Sequence, residues 1–183
     1  MRRTLKRGMP KDRKKRLRAM NLLMWSIAVR MRDLLRCQIC GGERRLVAHH
    51  IIKKSAAAEH IYDIDNGILL CSACHGGAND GPHGPRGEQP FMCWLAERRP
   101  DLHSICVARV GALRGRRDRG ERRRDRIGFH EEAAKRLASI LAGGDWEAHV
   151  PARAAKWKLA MIRERALSDE NTRLTARPER NDT

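Results

Sequence analysis

Two cysteine pairs, Cys37-Gln38-Ile39-Cys40 and Cys71-Ser72-Ala73-Cys74, enclose a histidine doublet, His49-His50, and an asparagine, Asn66, and His75 follows the second pair directly. A two-residue gap lets both thiolates of a pair reach one ion from a tight turn, and tetrahedral zinc takes four such sulfurs. Gly41 and Gly42 suit a knuckle that must turn back sharply. Two disulfides are the competing reading. The sequence shows no signal peptide and no apolar run long enough to span a membrane, so a reducing, cytoplasmic compartment and zinc are expected. The histidines and Asn66 could hold a second divalent ion, one with hydrolytic chemistry. Cys93 and Cys106 lie in apolar surroundings and read as buried free thiols rather than ligands.

These residues need elements to carry them. Leu46 to Ile52 is rich in branched apolar residues and predicts a short strand. Asp65-Asn66-Gly67 is turn chemistry, and Ile68-Leu69-Leu70 predicts a second strand. The loop between, roughly Lys53 to Asp65, carries Lys53, Lys54, His60 and Tyr62. Ser72 reads as the N-cap of a short helix bearing Cys74 and His75, ended by Gly76, Gly77, Gly81 and Pro82. Strict alternation would send His49 and His50 to opposite faces of the strand, so both can serve one phosphate only if the strand ends or bends there.

Ala48-His49-His50-Ile51-Ile52, Asp65-Asn66-Gly67-Ile68-Leu69-Leu70-Cys71 and Cys74-His75, with Cys37 and Cys40 upstream, resemble the zinc-supported HNH endonucleases, also called ββα-metal or His-Me finger nucleases. The style is that of small bacteriophage or prophage members, which would place the protein in a bacterial host's cytoplasm. The resemblance covers about Cys37 to Pro82 and implies a small zinc-stapled ββα-metal (HNH) module; with the basic α-helical extensions read on either side of it, the fold class is α+β. The resemblance implies His50 as general base, His49 and His75 as ligands of the catalytic ion, Asn66 as the brace that orients the base, and Cys37, Cys40, Cys71 and Cys74 as the structural zinc site. The implied reaction is metal-dependent hydrolysis of DNA phosphodiester bonds, by nicking or double-strand cutting, to 5′-phosphate and 3′-hydroxyl ends. Many members have Asp where His49 stands. Imidazole suits nickel, zinc or manganese as readily as magnesium, so the catalytic divalent ion stays open among Mg2+, Mn2+, Ni2+ and Zn2+. Asn79, close to His75, is an extra or alternative ligand, or an ordinary helix-end or turn residue. His60, His83, His103, His130 and His149 read as surface residues, with His83, in Gly81-Pro82-His83-Gly84-Pro85, the one placed for substrate contact.

The chain carries a net charge of +17 over 183 residues, which suits a polyanionic partner. Residues 1–36 contribute +11, residues 37–106 contribute −1 and residues 107–183 contribute +7. The catalytic module is thus nearly neutral, and its flanks would supply phosphate affinity. Arg16, Lys53, Lys54, Arg116, Arg117, Arg123 and Arg124 are the candidate contacts to DNA; RNA is an open alternative. A non-catalytic zinc module that binds nucleic acid within a phage replication, recombination or packaging complex would keep the cysteines and the basic flanks without needing His50. An interaction protein whose charge serves solubility alone would bind DNA weakly and without salt dependence.

Residues 1–36 read as a basic helical arm in which Leu17, Met20, Met24, Ile27, Met31 and Leu34 form one apolar face, started by Pro10 and Asp12. Arg16, Arg18, Arg30, Arg32 and Arg36 fall largely off that line, free to meet phosphates. A membrane-surface role is not expected, because the helix runs straight into the knuckle. Residues 37–82 are the module. Residues 83–113 hold a capping helix, Gln89 to Arg99, that buries Phe91, Trp94 and Leu95, then a connector ambiguous between strand and helix. Residues 114–127 are an Arg-rich linker, residues 128–167 two helices, and residues 168–183 a polar tail read as disordered. The first of those helices would turn Ala133, Leu137, Ile140 and Leu141 inward and stop at Gly143-Gly144; the second would run from Pro151 to Leu167 with Ala155, Leu159 and Ile162 on one side. The extensions could dock on the module, on a protein partner or on a second copy.

Overall fold

A computed structural model describes residues 12–56, 58–77, 81–118, 127–142, 144–151, 154, 156 and 158–164. The chain divides into two compact units, Ala28–Asp125 and Met1–Ile27 with Arg126–Thr183. No helix among the described residues is long and apolar enough to cross a membrane.

The functional interest lies in Ala28–Asp125. Strand β1 (Leu46–His50) pairs antiparallel with β2 (Gly67–Cys71), with Ala48 opposite Leu69 and His50 opposite Gly67. The β2 residues Ile68, Leu69 and Leu70 are fully buried, so this strand is apolar on both faces. Helix α2 (Ser72–Gly76) follows without a break, completing a ββα unit. Its N-cap is Cys71 rather than Ser72: the Cys71 sulfur accepts the Cys74 backbone N–H at 3.4 Å. One residue therefore ends the strand, caps the helix and offers a metal-binding thiol.

Helices α3 (Glu88–Arg98) and α4 (Pro100–Asp118) close the core of this unit. The core gathers Ile51, Ile52, Ile68, Leu70, Phe91, Leu95, Leu102 and Cys106. The connector that sequence left ambiguous is helical. Leu102 and Cys106 are buried, with Val110 and Leu113 packed against the same core, a stripe at helical spacing. The helix runs on through Asp118, five residues into the stretch read as a linker. Trp94 is only half-buried and lies stacked on Phe91. Cys106 is a buried thiol as expected, but Cys93 is exposed, since it points off the buried Phe91–Leu95 line of α3.

Helix α1 (Arg13–Arg32) begins at Asp12, whose side chain accepts the Lys14 N–H at 2.8 Å. Leu17, Met20, Met24 and Ile27 are buried as the periodicity requires. Leu34 is not: it is 75% exposed, because the helix has already ended and Leu34 and Leu35 take left-handed backbone at φ 53° and 55°. Each such residue costs roughly 1–2 kcal/mol. A buried network around Asp33, the intervening acid, holds the turn. Asp33 accepts from Arg32 Nε and Nη2 at 2.8 and 2.9 Å and from the Leu69 N–H at 2.8 Å, while Arg99 lies 3.7 Å away. Arg32 also donates to the carbonyls of Ile64 (2.8 Å) and Gly67 (2.7 Å), and Arg30 to that of Leu46 (2.6 Å). Arg30 and Arg32, read as cations facing phosphate, are instead consumed in satisfying carbonyls of the ββα unit. The Leu69 carbonyl receives the Gln38 N–H at 2.9 Å, so both of its backbone groups are bonded outside the strand pair.

In the other unit, helix α5 (Ile127–Leu141) buries Ala133, Ala134, Leu137, Ala138 and Leu141. Ile140, expected inward, is 39% exposed, because the buried stripe follows steps of one, three and four that pass it by. His130, read as a surface residue, is buried, and its backbone carbonyl receives the Asn21 side-chain N–H at 2.7 Å. Residues 158–164 are helical, with Ile162 buried and Leu159 partly so. Gly143, Ala155, the remainder of that helix to Leu167 and the tail 168–183 lie outside the described residues.

Candidate metal centre and base

The cysteine cluster forms first from local geometry. Gly41 takes φ +74°, a backbone that side chains disfavour, and the Gly41 N–H and Gly42 carbonyl close the knuckle on Cys37 at 2.8 Å each. That turn brings Cys37 and Cys40 against Cys71 and Cys74, all four sulfurs within 4.8 Å of one another. The Cys40 and Cys71 sulfurs are 3.8 Å apart. A tetrahedral ion with metal–sulfur bonds near 2.3 Å puts its sulfurs about 3.8 Å apart, so the set fits a structural metal and not a disulfide. All six cysteines are free thiols. The Cys74 backbone N–H pulls the Cys71 thiol down to about 7, which favours the thiolate a metal requires.

A second cluster forms beside it. His49, from β1, and His75, from α2, meet with Nδ1 and Nε2 3.2 Å apart. Two imidazoles on one ion with metal–nitrogen bonds near 2.05 Å stand about 2.9 to 3.4 Å apart, so this spacing fits shared ligation. His83 is the third member, its ring centroid 5.1 Å from that of His49 and 4.8 Å from that of His75. Ligand atoms of all three lie within 4.8 Å of one another. The His83 N–H donates to the His75 carbonyl at 3.2 Å, which fixes the incoming loop on α2. Sequence reading had His83 as a surface residue placed for substrate contact; it is exposed, yet it completes the imidazole group. Its signal in the sequence was the Gly-Pro on each side, a turn that could bring a side chain back. Asn79, the other candidate, lies outside the described residues. Burial, then the neighbouring His75, His83 and His50 rings, pushes His49 down to about 3. Burial and His83 lower His75 as well. Neutral imidazoles keep the lone pairs that bind metal.

His50 ends β1 and does not join the three. Its Nε2 donates to the Ile61 carbonyl at 2.9 Å, across the loop. A carbonyl only accepts, so Nε2 carries the proton and Nδ1 the lone pair. Burial pushes His50 down to about 4 against the opposing effect of that hydrogen bond, with Lys54 adding to the fall. It is only 7% exposed. Asn66, fully buried, staples the same loop: its oxygen accepts the Ile52 N–H at 2.6 Å, and its amide nitrogen donates to the carbonyls of His60 (2.9 Å) and Ile52 (3.3 Å). His60, expected at the surface, is half-buried because its Nδ1 is bonded to Asp63 at 2.7 Å.

Of the cationic residues singled out, Lys53 and Lys54 are exposed on this loop, and Lys53 pairs with Glu88 at 2.6 Å. Lys54 lies near enough to His49 and His50 to lower the proton affinity of both. Arg16 is half-buried on α1, in the other unit. Arg116 and Arg117 fall on α4, and Arg123 and Arg124 lie outside the described residues.

Residues 37–81 match the family model HNH endonuclease. The ββα unit of this segment, with a four-cysteine cluster at its base that could hold a structural metal, is consistent with a zinc-stapled ββα-metal module. A nuclease-type function and a nucleic-acid substrate go with that family. Comparison with curated proteins and with solved structures gave no match.

Proposed function

We propose that the protein is a metal-dependent endonuclease that hydrolyses DNA phosphodiester bonds to 5′-phosphate and 3′-hydroxyl ends. The observation that carries this reading is the pairing of a three-imidazole cluster, His49, His75 and His83, with a fourth imidazole on the same strand end, His50, kept out of the cluster by its bond to Ile61. A divalent ion, when bound there, would offset the negative charge that builds on the phosphoryl and leaving oxygens. An all-imidazole set suits Ni2+ or Zn2+ better than Mg2+ or Mn2+. His50 takes the proton of the attacking water at Nδ1, the nitrogen its tautomer leaves basic, and its lowered proton affinity keeps it neutral at pH 7. Asn66 acts as a positioning residue by holding strand end and loop together. Lys54 adds positive potential where the phosphate arrives. Cys37, Cys40, Cys71 and Cys74 hold structural zinc, which anchors the knuckle to the start of α2.

Nicking of supercoiled plasmid across a panel of divalent ions tests the proposal. The expected result is EDTA-sensitive cleavage that His50→Ala abolishes while fold and zinc content are retained. End-labelling of the products reads the polarity of the cut. Equal cleavage by His50→Ala removes the base assignment. DNA binding that is salt-sensitive but never accompanied by cutting leaves a non-catalytic zinc module in its place.

A further inference from the structure

The loop between the strands presents the Ile61 carbonyl that fixes His50. Its two ends are closed by the Ile51 N–H on the Asn66 carbonyl at 3.1 Å, and its other backbone bonds are local, Ala56 to Lys53, Asp63 to His60 and Asn66 to Asp63. Besides Asn66 and the burial of Ile61 and Tyr62, the loop is held by Arg32, which donates to the Ile64 carbonyl at 2.8 Å, by the Lys53–Glu88 pair, and by α4. The Cys106 thiol faces the Asp65 carbonyl at 3.7 Å. One turn further along, Arg109 Nη2 stands 3.6 Å from Asp63 Oδ2 and 3.5 Å from Asp65 Oδ2. The Asp63 oxygen is shared, since His60 Nδ1 lies 2.7 Å from it. His60 in turn offers its carbonyl to Asn66, and the next carbonyl along the chain is the one His50 uses. Asp63 and the Arg109 side chain are 17% and 22% exposed, so solvent screens this pair less than a surface one.

We infer that Arg109, on a helix outside the segment matched to the nuclease family, is a positioning residue for His50, acting through Asp63 and His60 on the Ile61 carbonyl. One guanidinium offsets two carboxylates, Asp63 just before the Ile64–Asn66 turn and Asp65 within it. Without it Asp63 and Asp65 repel across that turn, His60 loses its fixed partner, and the backbone carrying the Ile61 carbonyl shifts. The His50 ring can then exchange its proton between nitrogens, and the basic nitrogen is no longer held on one side. That Arg109 serves a base rests on the nuclease reading; that it fixes the His50 tautomer does not.

The test uses the full chain with Arg109→Met, Arg109→Lys and, as an independent cut of the same link, Asp63→Asn. Plasmid-nicking kinetics, affinity for the ion used, and the nitrogen-15 signature of the His50 ring are read together. Arg109→Met should lower kcat by about tenfold to a hundredfold, the scale of a catalytic group displaced by about 1 Å. KM and ion affinity should stay within about twofold, as for a residue that touches neither substrate nor metal. The His50 Nε2–H signal should move toward a mixture of tautomers, and Arg109→Lys should recover part of both losses. Asp63→Asn, should Arg109→Met not fold, must reproduce the kcat loss and the spectral change. An unchanged kcat, a loss confined to KM and DNA affinity, or an unaltered His50 spectrum each overturns the inference. If the wild type cuts no DNA the nuclease reading fails, and the His50 spectrum alone decides the positioning claim.

Discussion

Replacing Asn66 by alanine is the sharpest test of how the module is held. The amide is fully buried and makes three side-chain hydrogen bonds. Their losses are unequal. The His60 carbonyl keeps the Asp63 N–H at 3.3 Å, so it is not orphaned. The Ile52 N–H has the Asn66 oxygen at 2.6 Å, and losing it strands a buried donor. A stranded buried donor costs about 1–3 kcal/mol, and each of the other two bonds nets about 0.5–1.5 kcal/mol, so Asn66→Ala should cost about 2–6 kcal/mol. For a cooperative unit of this size that lowers Tm by roughly 10 °C at the low end and several tens of degrees at the high end. Circular-dichroism melts of wild type and variant, zinc-loaded, measure it, with nicking assayed at a temperature where both are folded. Activity should fall further than the unfolded fraction explains, because the Ile52 strand end and the His60-Ile61 backbone are both released. A Tm within about 2 °C of wild type would refute the bracing argument, since that shift is under 1 kcal/mol.

Cys71→Ser removes a thiol and a helix cap together; bound zinc should be lost and the melt should broaden, and unchanged zinc stoichiometry by elemental analysis would contradict the staple. His83→Ala should weaken binding of the second divalent ion by roughly tenfold or more in titration calorimetry, since even outer partners of metal ligands act on that scale. Unchanged affinity would return His83 to the surface role first read from sequence. Asp33→Ala should cost about 3–5 kcal/mol in urea unfolding, because Arg32 is left half-buried without its carboxylate and the buried Leu69 N–H loses its acceptor, while Arg99 keeps Asp101. A loss below about 1 kcal/mol would mean that the left-handed turn at Leu34 and Leu35 is held by something else.

The cysteine pairs, His49, His75 and Asn66 were legible because each is a reactive type at a spacing set by a short element. His83 was not, because it arrives on a Gly/Pro turn that has no period to read. Arginine is ambiguous by nature: the same fork that grips phosphate also grips carbonyls, and only the end of α1 at Arg32 shows that Arg30 and Arg32 do the latter. The clue in the sequence was Asp33, one of only two acids in the first 36 residues. Leu34 fitted the apolar period of α1 and failed because a period does not say where a helix stops. Leu102, Cys106, Val110 and Leu113 carry a helical stripe that the chemical ambiguity of short apolar runs concealed.

Leu69 gives both of its outward backbone groups away, its N–H to Asp33 and its carbonyl to Gln38. A two-stranded ribbon ordinarily leaves such groups as a template on which a further strand can add. Here that margin is already spoken for, by a carboxylate on one side and a knuckle amide on the other. A strongly apolar strand such as Ile68-Leu69-Leu70 can therefore sit at the rim of the smallest of sheets without recruiting a stray chain into it. Loss of either partner should show first as clumping of the purified protein, before any change in its chemistry.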